Sequence, residues 1–150
     1  MLFRSEVASA NYVGVFGKTE PGVDGEGVFF RNSKIALKDI TDGTAQTLLV
    51  GERTVRIGPT TWAGSVTGAK LYQPATGPQV EDGSGMVLGQ AHRPPGSPNL
   101  EVNEFGSRHG GGANFVFADG HVNFLPSSID PKVYEALATR AGGEPIPGDY

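Results

Sequence analysis

The clearest pattern in the chain lies near its C-terminus. Residues 113–118, Ala-Asn-Phe-Val-Phe-Ala, and 121–125, His-Val-Asn-Phe-Leu, flank Asp119-Gly120. Two β-rich runs around Asp-Gly predict a hairpin, and a two-residue type I′ loop is the turn that this pair suits. That loop would set Phe117 opposite Val122 and Phe115 opposite Phe124. One face would then carry all four apolar side chains, and the other a mixture that includes Asn114, His121 and Asn123. Further upstream, 11–17 (Asn-Tyr-Val-Gly-Val-Phe-Gly) and 47–52 (Thr-Leu-Leu-Val-Gly-Glu) read as strands. Shorter strands are expected at 28–30 and at 60–66, and 35–42 has room for one helical turn.

Asp130-Pro131 is a helix start, with Asp as N-cap and Pro in the first turn. Val133, Tyr134, Leu137, Ala138 and Ala141 follow at helical spacing, and Gly142-Gly143 is the expected stop. Residues 73–106 hold five of the eleven prolines and no strong period, so they read as a long irregular excursion with one strand near 86–88. Residues 144–150 read as an extended tail. Asp-Gly recurs at 24–25, 42–43, 82–83 and 119–120, each a turn candidate between strands.

Composition supports this pattern. The chain has 150 residues, enough for one domain, with 23 Gly and 11 Pro, which favours strands and turns over helices. The expected fold is therefore β-dominated α+β: an antiparallel sheet of short strands, a C-terminal hairpin and one short C-terminal helix. Net charge is −4 with no basic stripe, which argues against nucleic acid as a partner. Cysteine is absent, so disulfides and thiolate ligands are excluded. No run approaches 18 apolar residues, so this chain is expected to be soluble and to make no membrane contact.

Catalytic constellations do not assemble. His109-Gly110-Gly111-Gly112 has the look of an oxyanion loop, yet no serine sits in a G-x-S-x-G elbow. Gly17-Lys18-Thr19 ends like a phosphate-binding loop, but Tyr12 stands where the first glycine is required. His109 and Asp119 fall at opposite ends of a predicted strand, roughly 20 Å apart, which leaves too few ligands for a closed metal site. Asp119 is expected to serve the turn, and Arg108 with His109 to tie the preceding loop to backbone carbonyls. Asp39 and Asp42, with Thr41 and Thr44, offer oxygen ligands for calcium, though without the order of an EF-hand loop; an Asp-capped turn is the favoured reading. Trp62, with Tyr12 and Tyr72, could present a sugar-stacking surface, but a lone Trp in a predicted strand is expected in the core. No cofactor and no enzymatic activity are expected.

Four segments together carry a resemblance. They are Asn11-Tyr12-Val13-Gly14-Val15, then 40–52 (which includes Asp42, Gly43 and Glu52), then 107–120, where nine residues separate His109 from Asp119-Gly120, and last 136–144, Ala-Leu-Ala-Thr-Arg-Ala-Gly-Gly-Glu. In this order they resemble a bacterial family of prepilin-like proteins of unknown function, related to type IV pilins and pseudopilins. The resemblance implies a pilin-head plan, with an antiparallel sheet packed on a long N-terminal helix, in a parent anchored at the inner membrane or exported to the cell surface. That helix is missing from these 150 residues, and an apolar sheet face is expected to be left partly uncovered or to be covered by residues 73–106. The implied partners are other pilin-like subunits or secretion and assembly machinery of the type II kind. The alternative is a cell-surface module binding a carbohydrate or small solute.

Overall fold

The computed structural model describes residues 8–62, 64–65, 70–73, 77–148 and 150, and of 70–73 and 77–82 only the backbone. Its centre is a five-stranded open sheet built from β1 (Tyr12–Gly17), β2 (Leu48–Glu52), β5 (Leu88–Gln90), β6 (Gly112–Phe117) and β7 (Val122–Pro126) in the order β5-β1-β2-β6-β7. All pairs are antiparallel except β1 with β5. A separate ribbon pairs β3 (Lys70–Gln73) with β4 (Gly77–Asp82). One helix, α1 (Pro131–Leu137), follows the sheet. The fold is β-dominated α+β.

Alternation along β1 and β6 decides which face is covered. Val13, Val15, Phe115 and Phe117 point inward and are buried with Leu48, Leu125, Tyr134 and Leu137. Phe115 packs edge-on against Phe105 at 5.2 Å and Tyr134 at 5.9 Å between ring centroids, so the ring row crosses from loop to sheet to helix. The helix begins as its cap predicts: the Asp130 carboxylate accepts from the Lys132 and Val133 amides at 2.8 and 3.4 Å.

The hairpin forms, but one residue out of the expected register. Val116 faces Val122, Phe115 faces Asn123 and Asn114 faces Phe124. The Phe117 amide donates to the His121 carbonyl, and the Gly120 amide to the Phe117 carbonyl. The loop therefore has three residues, Ala118-Asp119-Gly120, and only Gly120 takes a positive φ, of 92°. A type I′ loop would need Asp119 there as well; a tight turn closed by one left-handed glycine does not. The shift moves Val122 and Phe124 to the outer face, where they are 64 % and 41 % exposed.

Other expectations are corrected in the same way. Residues 28–30 form no strand, although the Phe29 amide reaches the Val15 carbonyl at 3.4 Å. In the expected strand 60–66, only Thr61 makes an isolated bridge, to Ser9; residues 63 and 66 lie outside the described residues. Trp62 is 70 % exposed at a bend rather than core. The helix stops at Leu137, a turn before Gly142-Gly143, because the Arg140 amide leaves the helical path to bond the Glu26 carbonyl. Within 73–106, β4 and β5 are regular strands, and β5 extends the sheet beside β1.

Gly51 shows how tightly the inner face is packed. A Cβ there would lie 2.4 Å from both the Phe105 and Phe115 rings. Gly51→Ala should cost about 1–3 kcal/mol in denaturant unfolding, whereas Gly110→Ala, where a Cβ meets open space, should fall within about 0.5 kcal/mol of the parent.

Candidate functional site

Apart from Trp62, the residues singled out by sequence fall into three clusters. Asp42 accepts from the Gly142 and Gly143 amides at 2.6 and 2.9 Å and from the Thr139 hydroxyl at 3.2 Å. Its two carboxylate oxygens thus clamp the chain after α1 onto the turn before β2. Gly43, with φ of 100°, provides the left-handed step beside it. Asp39 is engaged separately, accepting from the Ala36 amide at 2.8 Å. Among the described residues, no group of three or more His, Asp or Glu side chains is placed to hold a metal ion.

The second cluster joins β2 to β6. One Glu52 oxygen accepts from both the backbone amide and the side-chain amide of Asn114, each at 3.2 Å, and the other lies 3.5 Å from His109 Nε2. His109 therefore meets a carboxylate, not the carbonyls expected of it. Arg108 is exposed and makes no hydrogen bond or ion pair among the described residues. Ser107 closes the loop in their place: its hydroxyl donates to the Gly112 carbonyl at 2.7 Å and accepts from the His109 amide at 3.0 Å.

The third cluster is the hairpin tip. Asp119 accepts from the His121 amide at 3.0 Å and lies 2.6 Å from its ring nitrogen. Those contacts, the amide first and the ring second, hold the Asp119 carboxyl below its ordinary value. The His121 ring stacks on Phe117 at 4.3 Å. With His92 at 3.1 Å from Glu135, all three histidines stand beside carboxylates, and among the described residues no serine hydroxyl bonds a ring nitrogen.

Several important residues escaped the sequence reading. Arg53 is fully buried. Its Nε donates to the Glu104 carbonyl at 2.9 Å, Nη1 to Gly85, and Nη2 to Leu88 and Asn103 at 3.0 and 2.7 Å. Burial pushes its pKa down to about 9, while the nearby Tyr134 and Glu104 oppose the shift, so it remains charged at neutral pH. Glu104, also buried, pairs with Arg93 at 3.0 Å. Arg140 donates to the Gly25 and Gly27 carbonyls and lies 5.3 Å over the Phe30 ring. A charged residue next to a strand is ordinarily solvated, so a single sequence carries little signal for such burial.

The outer sheet face differs from all of this. The strand registers align Leu88, Gly14, Val50, Val116 and Val122 as one apolar row across all five strands. The neighbouring row runs Tyr12, Glu52, Asn114 and Phe124, with an exposed ring at each end (Tyr12 41 %, Phe124 41 %). Above Gly14 and Val50 a cavity of about 830 Å³ opens toward Val23, Phe29 and Arg31. Phe29 leans over Gly14, where a Cβ would come 3.0 Å from its ring. Glycine thus deepens the groove.

A family model described as "Protein of unknown function (DUF1559)" matches residues 7–132. The chain belongs to this family. No curated protein and no solved structure matches it. The matched region holds the whole sheet and the hairpin, and stops inside α1. Asp42, inside the family region, is therefore bonded to Gly142 and Gly143 beyond it. Asp42→Ala should lower stability by about 1–3 kcal/mol, with loss of amide-exchange protection at Gly142 and Gly143. Unchanged protection at both glycines would show that the clamp is not formed in solution.

Proposed function

We propose that this chain is a non-enzymatic structural and interaction head of a pilin-like or pseudopilin-like exported protein. The observation that carries the reading is the outer sheet face: an apolar row on five strands, bordered by exposed rings and a groove of about 830 Å³. The row is half-buried at Leu88, Gly14, Val50 and Val116 and exposed at Val122, and contiguous apolar surface that solvent reaches marks a docking site more often than a solvated one. The resemblance of residues 11–15, 40–52, 107–120 and 136–144 to prepilin-like proteins supplies an occupant, a long apolar helix in the parent protein. Among the described residues no helix is long and apolar enough to cross a membrane, so on this reading the anchor at the inner membrane belongs to the parent. Partners are other pilin-like subunits or secretion machinery, and neither a metal nor a cofactor has a part.

Support comes also from what the titratable residues do. Asp42, Glu52 and Asp119 accept hydrogen bonds from backbone amides, and Asp42 and Glu52 join distant segments by them. This is the use of carboxylates in a scaffold.

The exposure of Trp62 favours a second reading, a surface module that binds a carbohydrate or small solute. An exposed indole can stack on a sugar ring, as a core indole cannot.

The two readings separate in one set of variants of the parent protein. Val50→Asp should leave the head folded, by circular dichroism and thermal melting, yet prevent its recovery with the assembled filament fraction. Assembly equal to that of the parent, or a gene with no apolar helix encoded ahead of Met1, would sink the pilin-like reading. Glycan binding lost with Trp62→Ala and kept with Val50→Asp would establish the second in its place.

A further inference from the structure

The open edge of the sheet carries an inference independent of the pilin-like reading. Strand β7 lies at the end of the sheet order, with β6 on one side. Two backbone bonds fix which of its groups face β6: the Phe117 amide donates to His121, and the Ser127 amide donates to Gly111. In an antiparallel pair, alternate residues exchange bonds with the partner strand. His121, Asn123, Leu125 and Ser127 therefore turn their polar backbone groups toward β6. Val122 and Phe124 turn theirs away, into the open edge.

Natural edge strands are normally protected by charge, by a bulge or by brevity. β7 pairs with β6 over five consecutive residues without a bulge, and Val122-Asn123-Phe124-Leu125-Pro126 contains no charged side chain. Pro126 blunts its end, where Pro147 and Tyr150 of the tail share a hollow with it. The opposite edge, β5, is three residues long.

We propose that β7 pairs with β7 of a second copy of this chain, antiparallel about a two-fold axis through Asn123. This register is self-complementary. Val122 of each copy faces Phe124 of the other, so both open amides and both open carbonyls on each edge find partners, making four hydrogen bonds. Val122 and Phe124 then pack across the junction on the outer face, an aromatic with β-branched pair of the kind that stabilises strand pairing. The two Asn123 side chains meet on the other face, where their amides can bond each other. Asp119 falls opposite Ser127 of the other copy, so no like charges are opposed. The five-stranded sheets join into one of ten strands, and the apolar row of each copy continues into Phe124 and its row in the other. A second copy fits better than a charged peptide, because this edge has no charge to select one.

The absence of cysteine makes the register directly testable. Asn123→Cys places two sulfurs at a non-hydrogen-bonded pair, where Cα atoms lie about 4.5 Å apart, within disulfide reach. Under mild oxidation it should form disulfide dimers at least about tenfold faster than Lys34→Cys, an exposed site away from the edge. In sedimentation, the parent chain should show reversible dimers at roughly tens to hundreds of micromolar, as suits a small interface. Val122→Lys and Phe124→Glu should each weaken association about tenfold or more, and mixing the two should restore it by setting Lys opposite Glu. Both positions are solvent-exposed, and thermal melts check that the variants fold. A parent chain monomeric throughout this range, association that both variants leave intact, or Asn123→Cys oxidising no faster than Lys34→Cys would each overturn the proposal.

Discussion

The guanidinium of Arg53 holds together parts of the chain that sequence keeps far apart. It lies one residue beyond β2, and its donors reach carbonyls at Gly85, Leu88, Asn103 and Glu104. Those bonds fix the parallel strand β5 beside β1 and seat the irregular segment 103–106 against the sheet. Phe105, 5.7 Å beneath the cation, then stacks edge-on against Phe115 and starts the core ring row. A buried charge is tolerated only when its donors are satisfied. Here four backbone carbonyls, one from β5 and three from the segments around it, do this.

The remaining ties follow the same logic at lower cost. Asp42 gathers two amides beyond α1, Arg140 gathers the Gly25 and Gly27 carbonyls, and Glu52 bridges β2 to β6 through Asn114. Each lies in one of the segments that resemble prepilin-like proteins. The polar residues of those segments thus serve as cross-links that let a glycine-rich chain with one short helix keep a defined shape. Asp42 and Arg140 work beyond the strands, and the Glu52–Asn114 tie lies on the outer face one row from the apolar one. The outer apolar row is left without such ties, and the proposed interaction role rests on that row.

Sequence reading succeeded where the governing interaction is local. Strands β1, β2, β6 and β7, the Asp130 cap and the turn at Asp119-Gly120 all depend on residues a few positions apart. It failed where a choice between similar local forms is settled elsewhere. The hairpin register turned on whether Asp119 or only Gly120 adopts positive φ, and the thread is drawn to the three-residue form while Thr44 and Thr47 accept from the Asp119 and Ala118 amides. Trp62 was expected inside because it sits among β-formers, yet no strand forms at that bend. Arg53 had no local mark at all: its partners lie 32 to 51 residues away.

Replacing Arg53 by methionine, which keeps much of its volume and removes every donor, tests most directly whether cross-links of this kind define the molecule. Chemical denaturation of Arg53→Met, with amide exchange read at Gln90, Thr54 and Gly106, should show stability lower by about 3–5 kcal/mol and protection lost at all three amides together. A variant within about 0.5 kcal/mol of the parent, with those amides still protected, would contradict the account.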